Sequence, residues 1–289
     1  MDQAAAHRAR LAPYIEPHLE RRRRQVKHPV HDFLFTYYTY RPAQLMRWQP
    51  PGPFDAKHGA LAASTFALLR ATDARRGNFG CFGLHEWAMV YRSDRTRHPQ
   101  PLRLGAAATN QVVEAHRLNC SHFDAVRFFT EAALPLNTLR PGPGDRADFE
   151  QPGCLHATMD LYKHAYRLAE VVGSDLIADA FELAWNVRIA DMRAAPYDLS
   201  GTTLDPDRSQ WTPICIETPD GKREYAELQR AFTARAAIVR RRLAEACAPY
   251  AQAQSTAAVL GNPSAPVVHD LSRQTTPHSP ESATLRTSR

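Results

Sequence analysis

The amino-acid sequence predicts a mainly α fold: a single helical domain over residues 1–250 with one small β-hairpin, then a disordered Ser/Thr/Pro-rich tail over 251–289. Three observations lead there. Most of the chain divides into helical stretches bounded by start and stop signals. One segment, Trp211–Tyr225, combines β-branched alternation with a turn pair. An apolar share of 44% in 289 residues is enough to bury a substantial core. No internal repeat is present.

The elements follow in order. "DQAAAHRARLAPYIEPHLERRRRQVKH" reads as helical, interrupted at Pro13 and Pro17, because proline removes a helix donor. "HDFLFTYYTYRPAQLMRW" is a dense aromatic segment whose poor alternation leaves helix and strand open. "FDAKHGALAASTFALLRATDARR" predicts a helix starting near His58, and "GLHEWAMVYR" a short one. In "CSHFDAVRFFTEAA" Ser121 can cap a helix with Asp124 three positions on, an acidic variant of the capping box. "LRPGPGDRADFE" is a turn, since Pro143 removes a donor that a phosphate-binding glycine hairpin would need. Pro152 suits a first helical turn, and the helix it opens runs to about Val172, where Gly173 stops it. Ser174 caps "DLIADAFELAWNVRIADMRAA", which ends before Pro196. "WTPICIETPDGKREY" predicts the hairpin, turning at Asp220 and Gly221. The long helix "REYAELQRAFTARAAIVRRRLAEAC" completes the ordered part, and from Gln254 onward the chain has too little bulky apolar content to offset its entropy.

Composition narrows the function. The formal net charge is +6 and the pI near 9.2, with basic runs at Arg21–Arg24 and Arg240–Arg242 that suit phosphates, or else form solvated helix faces. Five widely spaced cysteines without a C-x-x-C pair indicate a reducing compartment. With no apolar leader and no membrane-length apolar run, the expected location is the cytoplasm, with no membrane partner. The P-loop, dinucleotide-binding and nucleophile-elbow patterns are missing.

The chemistry-bearing residues fall into three groups. His156, Asp160 and His164 recur every four residues and form one polar stripe on a helix. Two imidazoles and a carboxylate suit iron, manganese or zinc, but the ends of the stripe are ~12 Å apart along the axis, so one ion cannot join all three. A metal site would draw on His85, Glu86, His122, Asp124 or Glu182 to complete it. Aromatic residues are plentiful near these polar ones: Tyr37, Tyr38, Trp87, Tyr91 and Tyr162 could line a slot for a flat ring, although most aromatics must be core. Glu86, Asp124, Asp160 and Glu182 have apolar sequence neighbours and are candidate catalytic carboxylates for directing water at a sugar carbon. The bland alternatives are a cap for Asp124 and an arginine pair for Glu182.

"HPVHDFLFTYYTYRPAQLMRW", "GLHEWAMVYR", "CSHFDAVRFFT", "EQPGCLHATMDLYKHAYRL", "ADMRAAPYDL" and "IETPDGKREYAELQRAF" together resemble blocks of bacterial proteins of about this length labelled 3-methyladenine DNA glycosylase. The resemblance covers residues 14–250 and implies a DNA N-glycosylase excising alkylated purines, with DNA as partner and no cofactor. On that reading Arg21 and Arg24 hold the phosphate backbone, the tyrosines and Trp87 clasp a flipped base, and one of the four carboxylates activates water. The resemblance itself carries over no catalytic residue. The alternative expectation is a helical metal-dependent enzyme acting on a small molecule through His85, His122, His156 and His164.

Overall fold

The computed structural model describes residues 2–259, and side chains to residue 256. Eleven α-helices form there: α1 (Gln3–Arg23), α2 (Phe33–Thr36), α3 (Pro42–Leu45), α4 (Gly59–Asp73), α5 (Leu84–Ala88), α6 (Gly105–Glu114), α7 (Phe123–Val126), α8 (Arg146–Phe149), α9 (Leu155–Arg167), α10 (Ala169–Ala194) and α11 (Pro219–Val259). The mainly helical class is as the sequence predicts.

α10 is the central element. Its residues from Leu176 to Met192 are buried on nearly every side, the signature of a helix enclosed by others. α9 and α11 pack along it, α4 lies against α11, and α3 touches it near its start. One large apolar cluster unites these helices with α1 and α5, and a smaller one gathers Val30, Val90, Tyr197 and Trp211 at the far end. No helix among the described residues is long and apolar enough to cross a membrane.

Several local expectations are corrected. α1 runs unbroken through Pro13 and Pro17. Its buried stripe is His7, Leu11, Ile15 and His18, so the prolines sit off the core face, where the carbonyls they leave unpaired can be solvated. The aromatic segment resolves into the short α2 and α3. Ser121 does not cap: the N-cap of α7 is His122, and Asp124 instead meets Arg127 and Lys163. α9 starts at Leu155 rather than Pro152, and the chain breaks direction at Gly173 (φ 74°, ψ 168°), within α10. A Cβ there would lie 2.7 Å from Pro51 N, so glycine is required by both conformation and space.

The expected hairpin is replaced. Among the described residues the β structure is limited to isolated bridges such as Leu102 to Tyr197. The turn pair Asp220–Gly221 lies in the first turn of α11, whose Thr218 Oγ1 accepts from Gly221 N–H at 3.1 Å while Pro219 takes the first helical position. α11 continues to Val259, so residues 251–259 of the expected tail are helical. Residues 260–289 lie outside the described ones.

Candidate functional site

α10 carries two charges where the surrounding sequence is apolar. Arg188 and Asp191 are 2% and 0% exposed, and burying an ion costs several kcal/mol unless it is paired. The partners come from α5. Asp191 Oδ1 lies 3.0 Å from His85 Nε2, and Arg188 Nη1 lies 3.1 Å from Asp191 Oδ2 and 3.6 Å from Glu86 Oε1. α5 reaches this position because Gly83 turns the chain at φ 71° where a Cβ would press on Ala194 Cβ at 3.1 Å. Trp87 then locks the two elements by donating Nε1–H to Ala194 O at 2.8 Å.

Three donor atoms here make no hydrogen bond, two of them meeting only as the His85–Asp191 ion pair. One ligand atom each of His85, Glu86 and Asp191 lies within 4.8 Å of the others, and His85 Nε2, Glu86 Oε2 and Asp191 Oδ1 lack a hydrogen-bond partner among the described residues. The close His85–Asp191 contact is an ion pair at 3.0 Å. A 3.0 Å spacing is what adjacent ligands of an octahedral ion show, since bonds of ~2.1 Å at right angles place donors ~3.0 Å apart. Burial opposes charge on His85, but Asp191 overrides it and holds the imidazole well above its ordinary pKa. Burial likewise opposes ionisation of Asp191, and His85 more than offsets it, keeping the carboxyl far below its usual range. The same negative field that retains a proton would retain a divalent cation.

His156, in the first turn of α9, stands beside this group. Its ring is 4.4 Å from that of His85, edge to face, and 5.3 Å from that of His122, stacked. Burial, with His85 adding to it, pushes its pKa well down, so it is a neutral base. It lines a cavity of about 110 Å³ whose walls include Phe33, Tyr37, Phe128, Glu86, Asp124 and Arg188.

Behind His156 a second layer holds a separate ion network. His122 Nε2 lies 3.3 Å from Glu150 Oε1 and 3.6 Å from Asp160 Oδ2. Arg146 from α8 binds both carboxylates, at 2.6 Å to Asp160, and Tyr38 donates to the other Asp160 oxygen at 3.3 Å. Burial would raise the Asp160 pKa, yet His122, Lys163 and Arg146 drive it far below the carboxylate range. On the other side of His85, Cys81 Sγ lies 3.8 Å from Nδ1, and Cys81, Cys120 and Cys154 share a narrow space with Tyr225 and Gln229.

No family model, curated protein or solved structure matches the chain. The site therefore rests on its own geometry.

Of the expected carboxylates, Glu86 and Asp124 reach the cavity and Asp160 lies in the layer behind. Glu182 is not in the cavity wall; it accepts from Arg10 at 2.7 Å beside Asp179. Of the expected aromatic residues, Tyr37 lines the cavity. Tyr38 and Tyr162 are core, Trp87 is spent on Ala194 O, and Tyr91 donates to Glu114 at 2.9 Å. Among the histidines His85 and His156 meet at the site, His122 is engaged by Glu150 and Asp160, and His164 is buried with its pKa lowered by burial to about 4. Arg21 is committed to Asp205 at 2.7 Å, and exposed Arg24 caps the end of α1.

A second histidine–carboxylate group, His28, His31 and Asp205, also lies close together. Its ring acceptors are already taken by backbone N–H groups, and Asp205 pairs with Arg21. His28 Nδ1 accepts from Val30 and His31 N–H, its Nε2–H donates to Thr203 O, and His31 Nε2 accepts from Asp205 N–H. Sequence reading missed Asp191 and underused Arg188. Their signal was available: Arg188 and Asp191 stand i, i+3 in "VRIADM" among otherwise apolar residues.

Proposed function

We propose that the chain is a metal-dependent enzyme acting on a small molecule, with His85, Glu86 and Asp191 ligating one divalent ion of the zinc, manganese or iron type. The observation that carries this reading is the convergence of three buried donor atoms, from two helices, that have no other partner among the described residues. One imidazole and two carboxylates suit those ions better than copper or calcium. A bound ion would acidify water and polarise a carbonyl. Neutral His156 accepts or returns a proton at the cavity wall, Arg188 holds the other oxygen of each carboxylate, Asp191 Oδ2 and Glu86 Oε1, and Trp87 holds α5 against α10.

The test is elemental analysis after loading with each metal and removal of excess. About one equivalent is expected for the native chain, and a loss of at least ~10-fold in affinity for Asp191→Asn and Glu86→Gln, which preserve side-chain shape. His164→Ala, outside the ligand set, should keep the metal. If the folded native chain takes up no divalent ion, the reading is wrong.

The glycosylase reading is favoured by one observation, the Phe33, Tyr37 and Phe128 walls beside two carboxylates. It meets a size problem. A cavity of ~150 Å³ holds benzene, so a space of about 110 Å³ cannot enclose a methylated purine without opening. Release of free 3-methyladenine from alkylated duplex DNA would restore it.

A further inference from the structure

The cavity beside the proposed metal carries more cationic character than a purine pocket needs. Arg188 is 3% exposed at its side chain, lines the space, and has an Nε–H with no partner among the described residues. Its guanidinium is 4.2 Å from the Phe33 ring centroid. Arg97, an exposed residue that also lines the cavity, has its guanidinium 3.7 Å from the centroid of Phe128 and no ion pair or hydrogen bond among the described residues. Two of the aromatic walls are thus already covered by guanidinium groups, which repel a cationic ring and attract an anion.

The acidic residues of the cavity do not cancel this. Asp124 is held by Arg127 Nε at 3.2 Å and Lys163 Nζ at 3.5 Å. Glu86 and Asp191 outnumber Arg188 by a single negative charge, and a divalent cation at their free oxygens turns that excess positive. Arg97 adds to it.

We infer that the cavity binds the carboxylate of a small organic acid, gripped by Arg97 and the free Nε–H of Arg188, with the rest of the acid facing the metal. This rests on the metal reading above. The volume limits the enclosed part of the substrate to fewer atoms than benzene. Planar guanidinium forks match a carboxylate in geometry, and aromatic platforms fix their planes beforehand.

The experiment uses the full chain loaded with zinc, metal content being measured on every sample, and titrates glycolate and its uncharged amide, glycolamide, which match in size. Glycolate should bind at least ~10-fold more tightly than glycolamide, and Arg97→Gln should remove that preference, as loss of a charge-assisted hydrogen bond implies. Arg92→Gln, an exposed arginine that pairs with Glu114 and does not line the cavity, should keep the preference. If metal is stoichiometric and the two ligands bind alike, or glycolate does not bind, or Arg97→Gln binds glycolate as the native chain does, the inference fails while the metal reading stands. If no sample holds metal, the reading beneath it fails.

Discussion

His31 illustrates how a single buried ring sets a pH limit. It lies face to face with Trp185 at 4.1 Å and His28 at 4.3 Å, and its Nε2 accepts from a backbone N–H, so the folded chain has no place for a second proton. Burial pushes its pKa down to about 2, with His28 and Arg21 adding to the effect, and burial also lowers that of His28. The folded value lies below the unfolded one of about 6.5, so this contribution is complete above pH ~6.5. It is lost as pH falls through that value, because only the unfolded chain takes up the proton, at about 1.4 kcal/mol per pH unit for each such group. Urea denaturation between pH 7 and 5 should show falling stability, with a shallower slope in His31→Gln, which keeps an acceptor for Asp205 N–H. Equal slopes would contradict the assignment. The same residue scale limited what the sequence disclosed. His85 and Glu86 could be singled out as chemistry-bearing, but their partner Asp191 is more than a hundred positions away, and only the packing of α5 on α10 joins them. The stripe of His156, Asp160 and His164 was legible as a pattern; that His156 faces one site and Asp160 another was not.

The elements themselves were largely readable, and the failures came where one set of letters serves two structures. Trp211–Tyr225 alternates apolar residues around Asp-Gly, which is hairpin grammar. Thr-Pro-Asp-Gly is also helix-start grammar, with Thr218 as cap and Pro219 in the first turn, and the amphipathic run behind it decides the outcome. Thr218→Ala is expected to cost ~1 kcal/mol and lower the melting temperature by ~2–4 °C. Gly221→Ala should cost more, since its Cβ would run into the Cys215 carbonyl, backbone against backbone. Should Gly221→Ala melt with the native protein, the close approach is not real. The prolines of α1 failed as breakers for a different reason: they are four apart, on a face that does not bear on the core, and the buried stripe on the other face holds the helix together.

At the scale of the whole molecule, carboxylates take up part of the positive charge in the two basic runs. Arg21 pairs with Asp205, Arg23 with Glu20, Arg240 with Asp73 and Arg242 with Asp179, while Arg241 lies 3.9 Å from Glu245. Of these only Arg21 and Arg240 are largely buried; Arg23, Arg241 and Arg242 make exposed pairs, and Arg22, Arg24 and Lys27 are unpaired among the described residues. Any binding to duplex DNA through that region should therefore have a log–log salt slope no steeper than about −3, at roughly 0.9 per phosphate. A slope of −6 or steeper would point to another surface and strengthen the glycosylase reading.

The direction change at Gly173 has a mechanical corollary. From there α10 runs as one rigid rod to Asp191, some ~27 Å away at 1.5 Å per residue. Its near end is clamped by Gln49, whose carbonyl and amide bind Ser174 at 2.9 Å each. A tilt of a few degrees at that clamp would swing the far tip by ~1–2 Å, the scale on which catalytic alignment is lost. On the metal reading proposed above, a side chain forced into position 173 should thus lower metal uptake from a distance, without touching a single group in the cavity.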